Sequence, residues 1–235
     1  MIKLKNEYFE ALGAPAPSAP FGLIDKYRFN LAASKLLSGS VLDVGAYFGD
    51  FLKKILSEAP SREVYGTEVN EKRKKIANKN LEREVVRIDF IDGKFSTFTN
   101  NSVDNIVCTE VIEHVSDHTL AMRELCRVAK KRIIITVPFN EKIQYQLCIH
   151  CCQRTPGAGH LHTFQCGDFN KLILPDWKIK QEFSFGNTVT QFIAARLPLN
   201  KISEFLIEKL DWIFSRLFPR KNRWLFIMID KNKMA

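Results

Sequence analysis

No stretch of the chain approaches the eighteen or so consecutive apolar residues that a membrane-spanning helix needs. The opening residues, 1–13, carry charges throughout and contain no apolar segment of the secretory kind. The expected setting is therefore the cytoplasm, with at most peripheral membrane contact. Phosphate-binding loops are also missing. No G-K-[ST] occurs, which excludes a P-loop, and the first glycine turn has Tyr47 and Asp50 where a dinucleotide fingerprint needs its second and third glycines. There is no internal repeat. Cysteine is scarce, six in 235 residues, and without a secretory leader these are expected as thiols.

What the chain has is charge of one sign and a regular alternation of elements. Its net charge is +9, with basic residues gathered in 70–87, 127–132 and 216–223. Such clusters make solvated helix faces, or attract an anionic partner such as nucleic acid or a lipid surface. Short apolar runs at 40–45, 63–69, 84–90, 103–111 and 132–139 read as strands, separated by helical patterns at 50–59, 71–82 and 117–131. Strands alternating with helices at this spacing predict an α/β protein with a mostly parallel, doubly wound sheet.

Beyond Phe139 the pattern breaks into an irregular insert, 140–165, rich in Cys, His and Gly. A short helix is expected at 167–174 with Asp168 near its start, then strands at 188–197 and 223–231. Between them, 200–218 has helical spacing of Ile202, Leu206, Leu210, Ile213 and Leu217. That stripe is expected to pack on the sheet, the alternative being an anionic membrane surface. The segment 14–20 reads as a stiff linker, and residues 1–235 as one domain.

Ligands of doubly wound sheets bind beyond the carboxyl ends of the strands. Asp43 to Gly49, Glu68, Asp92 and Glu110 all fall there. The first turn carries Gly45 and Gly49 for close backbone approach, but Asp43 and Asp50 beside it would repel a pyrophosphate. The turn suits a ligand without phosphates that bears positive charge.

The segment "VLDVGAYFG" resembles the first motif of class I S-adenosylmethionine-dependent methyltransferases, D-x-G-x-G-x-G. Asp43, Gly45 and Gly49 match it, and Tyr47 departs at the middle glycine. Glu68 matches the family's acid on the ribose hydroxyls and Asp92 the acid that meets the adenine amino group. "NNSVDNIVCTEVIEHV" follows the family's "NSFD…EVLEH", with Val103 in place of Phe, and "ITVP" matches its fifth strand. The resemblance covers about 22–139. It implies a seven-stranded Rossmann-like sheet, S-adenosylmethionine as cofactor, and a cofactor site of Asp43, Gly45, Tyr47, Gly49, Glu68, Asp92 and Glu110.

The stretch "TEVIEHV" concentrates chemistry. On a helix Glu110, Glu113 and His114 would lean from one face. Three uses stand open: a divalent metal site, a proton acceptor for the acceptor's hydroxyl, or a pocket wall. Quinone and small-RNA methyltransferases of the resembled fold use a similar E-x-x-E-H for metal, the RNA enzymes adding a downstream histidine, here His160. Competing for His160 is a C-x₂-C knuckle in which Cys148, Cys151, His160 and His162 would hold zinc, with Cys166 or His150 as further donors. Free thiols in a lid over the acceptor are the other reading of that insert. The expected function is methyl transfer from S-adenosylmethionine to an oxygen of a small-molecule or lipid-linked acceptor, with Glu110, Glu113 and His114 at the reacting end. RNA 2′-O-methylation with a metal (Mg²⁺ or Mn²⁺) and a non-catalytic cofactor-binding scaffold are the alternatives, with a dehydrogenase a distant third.

Overall fold

The structure, a computed structural model, describes residues 22–147 and 152–232. The expected linker at 14–20 and the candidate zinc ligands Cys148, His150 and Cys151 lie outside these residues.

One seven-stranded sheet organises the chain. Its strands are β1 (Val41–Val44), β2 (Val64–Thr67), β3 (Val86–Arg87), β4 (Val103–Thr109), β5 (Ala129–Pro138), β8 (Trp177–Asn187) and β9 (Asn222–Lys231), in the order β3-β2-β1-β4-β5-β9-β8. The first five pair in parallel, and β9 runs antiparallel between β5 and β8. Ile106, Val107 and Cys108 of β4, and Ile133 to Ile135 of β5, are fully buried. Central parallel strands are covered on both faces, which is why these runs contain almost no alternation. A short hairpin, β6 (Tyr145–Leu147) with β7 (Arg154–Pro156), gives the insert more order than expected.

The helices are α1 (Leu23–Ser34), α2 (Asp50–Glu58), α3 (Glu71–Leu81), α4 (His118–Val128), α5 (Thr188–Ala194) and α6 (Lys201–Leu217). Side-chain caps start most of them: Asn70 accepts from the Arg73 amide, Asp117 from Leu120, Asn187 from Val189 and Asn200 from Ser203. Helix α2 begins on Gly49 with no side-chain cap. Its amino end opens toward the carboxyl edge of the sheet.

Four expectations are corrected. The strand expected at 84–90 shortens to Val86–Arg87, because Asp89 turns the chain by accepting hydrogen bonds from the amides of Phe90, Ser96 and Thr97. Residues 129–131 belong to β5 and not to the preceding helix, since Ala129 is already extended and pairs with Val103. The segment 188–197 was expected as a strand; it is α5, begun by the Asn187 cap, and the strand is the preceding Trp177–Asn187. Finally, α6 forms where expected but is turned over. Its buried positions are Ser203, Ile207, Asp211 and Ser215, while Ile202, Leu206, Ile213 and Leu217 are exposed.

Candidate active site

Strand order reverses between β1 and β4, and a cleft opens at their carboxyl ends, where such sheets take ligands. Gly45, Tyr47, Glu68, Asp92, Glu110 and His114 all line it, together with Arg73, Asp89 and Phe90. It encloses about 810 Å³ of free space counted to its open mouth. A second hollow adjoins it across the glycine turn, walled by Arg28, Asp43, Asp50 and Glu110.

The turn owes its shape to φ values that L-residues rarely adopt. Gly45 has φ 78°, and a Cβ there would come within 2.4 Å of the Val111 side chain. Tyr47, at the position of the family's middle glycine, keeps the left-handed conformation at φ 51°. Its strain is offset by local contacts: its amide donates to Glu68 Oε2 (3.0 Å), and its ring lies 4.8 Å from the Arg73 guanidinium. Glu68 Oε1 accepts from the Asn70 amide, so this carboxylate fixes both loops. Burial raises the Glu68 pKa. Asp43 is 3% exposed, and its pKa is raised to about 7, first by burial and then by the charge of Glu68, with Arg28 opposing. Asp92, in left-handed conformation at φ 50°, forms part of the cleft wall beyond β3.

Glu110 departs from expectation. It is not on a helix with Glu113 and His114; it has φ 56° at the end of β4, and the helical piece is one 3₁₀ turn, Ile112–His114. Glu110 Oε2 accepts from Trp224 Nε1 (2.9 Å) and Oε1 lies 3.7 Å from Arg28 Nη1. The Arg28 guanidinium stacks 5.1 Å from the Trp224 ring, and its Nε and Nη1 are buried without hydrogen-bond partners. Sequence reading missed Arg28 and Trp224. The one available signal was an arginine at i+4 from Ile24 and i−4 from Ala32, on what proves to be the buried face of α1.

The reacting end gathers Glu113, His114 and His160, whose donor atoms lie within 4.8 Å of one another. Glu113 is fully buried, and neither carboxylate oxygen has a hydrogen-bond partner. Burial, and then the charge of Glu110, push its pKa well up. His114 Nδ1 is 3.0 Å from the Gly159 carbonyl, which can only accept, so Nδ1 carries the proton and Nε2 presents a lone pair. Burial, with the His160 charge second, lowers the His114 pKa to about 4. His160 Nδ1 bonds Glu141. The insert is thus tied to the turn that carries Glu113 and His114, held also by the Leu161 amide on the Glu113 carbonyl (2.7 Å).

Histidines 160 and 162 do not converge on a common point. His162 Nε2 bonds the Val115 carbonyl (2.9 Å), and its ring packs on His118, away from the Glu113 cluster. Among the described residues no cysteine joins a candidate metal cluster; Cys152 and Cys166 are exposed free thiols. Among the described residues His160 gathers with Glu113 and His114, while Cys148 and Cys151 of the expected knuckle lie outside them.

A family model described as a methyltransferase domain matches residues 42–136. No curated protein sequence matches the chain. Among solved structures, the [4+2]-cyclase SpnF superposes with a TM-score of 0.62 at 14% identity, covering 97% of this chain and 92% of the other. An S-adenosylmethionine-dependent methyltransferase from Mesorhizobium loti superposes with a TM-score of 0.60 at 14% identity, covering 89% of this chain and all of that one. A methyltransferase of the same kind from Aquifex aeolicus matches with a TM-score of 0.56 at 14% identity, over 97% and 100% of the two chains. At such identities the structural likeness speaks for the fold.

Proposed function

We propose that the chain is a class I S-adenosylmethionine-dependent methyltransferase, a reading supported by the methyltransferase-domain match over residues 42–136, and that it methylates an oxygen of a small-molecule or lipid-linked acceptor. The observation that carries the choice of oxygen is the buried Glu113 carboxyl, without hydrogen-bond partners and within 4.8 Å of two histidine donors. A hydroxyl must lose its proton to become a competent methyl acceptor, and a cation held by this cluster would favour that loss.

The roles follow from charge and position. Glu68 is assigned to the ribose hydroxyls and Asp92 to the adenine amino group. Asp43 and Glu110 place negative charge beside the cationic methionine end, and the unpartnered Nε and Nη1 of Arg28 suit its carboxylate. Tyr47 and Gly45 shape the wall between the two hollows. With a pKa near 4, His114 is a weak base at neutral pH, but it offers Nε2 to a ligand with no proton to displace. One carboxylate and two imidazoles fit a divalent ion such as Mn²⁺ or Zn²⁺ better than Mg²⁺, which prefers oxygen donors. Such an ion, when bound, would lower the pKa of an acceptor hydroxyl. Positioning alone can supply roughly 7–11 kcal/mol of a two-substrate barrier.

The test combines elemental analysis of protein purified without chelator with transfer of a labelled methyl group. Catechol-like, lipid-linked phenol and short RNA acceptors are compared, for wild type and Glu113→Gln. The expected outcome is label on a hydroxyl acceptor, lost at least about a hundredfold in Glu113→Gln, with S-adenosylhomocysteine binding retained. Label on a ribose 2′-oxygen would move the acceptor to RNA. Cofactor binding with turnover on no acceptor would favour a scaffold. A full rate in Glu113→Gln would remove the cluster from the chemistry.

A further inference from the structure

Helix α6 exposes its apolar side. Ile202, Phe205, Leu206, Trp212, Ile213 and Leu217 recur at helical spacing, and they are 42% to 81% exposed. The three acids of the helix are engaged by the protein, although Glu208 stands one turn before Trp212. Glu204 pairs with Lys26 (3.0 Å), Glu208 accepts from Asn30 (3.4 Å), and Asp211 accepts from the Gly186 and Asn187 amides (2.9 and 2.7 Å). What borders the stripe is basic: Lys201, Lys209, Arg216 and, past the helix end, Arg220 and Lys221, all exposed. The cations sit over the aromatic rings, Lys209 at 5.4 Å from Phe205 and Arg216 at 3.9 Å from Trp212. On the adjoining α5, Arg196 lies 3.5 Å from the ring of Phe192, which is 63% exposed.

We propose that this face docks the protein on membranes containing anionic phospholipid, with the helix lying in the plane of the interface. No described helix is long and apolar enough to cross a bilayer. An exposed apolar stripe whose exposed charged neighbours are lysine and arginine, with aromatic residues between, is the pattern of an interfacial helix: apolar side chains enter the acyl boundary while lysine and arginine reach back to phosphates. Charge complementarity selects this occupant. A second copy of the same face would set like charges against each other, and an RNA strand, though able to stack on Phe205 and Trp212, would leave the exposed Ile202, Leu206, Ile213 and Leu217 uncovered. The contact is independent of the acceptor's identity and of the metal cluster.

Trp212 supplies the probe. Of the three tryptophans, Trp177 and Trp224 are 3% and 1% exposed, whereas Trp212 is 57% exposed. The experiment is co-flotation with phosphatidylcholine vesicles, with and without phosphatidylglycerol, and quenching of tryptophan emission by brominated acyl chains. The full chain should float with the anionic vesicles and be quenched. A Phe205→Ser/Trp212→Ser variant and a Lys209→Glu/Arg216→Glu variant should each bind at least about tenfold more weakly, with S-adenosylhomocysteine affinity unchanged as the check on folding. Absence of flotation, or equal flotation by the variants, overturns the proposal. So does a solution dimer dissolved by the serine variant, or binding to single-stranded RNA, when either occurs without vesicle binding.

Discussion

A carboxyl that must be ionised to hold a cation, yet is driven toward its neutral form by burial, couples ligand binding to protons. Asp43 is that group, with its pKa near 7. A sulfonium and an ammonium nearby favour the carboxylate, so S-adenosylmethionine should bind with proton release around pH 7 and more weakly as pH falls below it. Calorimetry in two buffers of different ionisation enthalpy checks this; identical heats would refute it. The sign for stability runs the other way. The folded protein holds this proton more tightly than an unfolded chain, whose aspartate titrates near 4. The ligand-free fold therefore loses stability as pH rises from about 4 through 7. Asp43→Asn should stabilise the ligand-free protein at pH 8 by on the order of 1–3 kcal/mol in urea denaturation, while weakening cofactor binding. At the reacting end the sequence pattern groups Glu110, Glu113, His114 and His160; the structure brings the last three together but not Glu110. Residue spacing describes a helix, and one left-handed φ at Glu110 turns its side chain toward Arg28 and Trp224 instead.

Asp211 shows how an element can bury a polar face and leave its apolar one outside. Its carboxylate takes the amides of Gly186 and Asn187, where β8 gives way to α5. Gly186 has φ 74°, and a Cβ there would stand 2.4 Å from the Trp224 ring. Asp211→Ala should cost about 1–3 kcal/mol in chemical denaturation by leaving two buried amides unsatisfied; a change within experimental error would show that water replaces them. This turn also explains the misread strand. Thr188, Val189 and Thr190 favour extended structure, but Asn187 caps a helix there. The true strand, Trp177 to Asn187, opens with alternating Lys178, Lys180 and Glu182 on a sheet edge, a pattern too polar to read as core. The parallel strands were legible because burial on both faces writes itself as continuous apolar runs. In the C-terminal third α6 and β9 were legible as well, but β8 and α5 were not, since their identity rests on a capping residue and a distant aspartate.

At the scale of the whole molecule, motif residues at four strand ends, spread from Gly45 to His114, line one cleft. Ligand binding should accordingly stabilise the chain as a unit. At a hundred times its dissociation constant, S-adenosylhomocysteine should contribute about 2.7 kcal/mol, raising the melting temperature by roughly 5–10 °C for a chain of this size. A melting temperature indifferent to the ligand would sink the cofactor assignment. The same fold superposes on a protein described as a cyclase, so turnover has to be measured on an acceptor and not inferred from architecture. The position of β9 carries a further consequence. It is the last strand of the sheet in sequence, yet it lies between β5 and β8, and its Trp224 holds Glu110. During synthesis, β8 emerges with no neighbour to pair with, and Glu110 in the cleft wall lacks its Trp224 partner until β9 arrives. A ribosome paused before Trp224 would thus display an open sheet with a waiting gap, vulnerable to foreign strands.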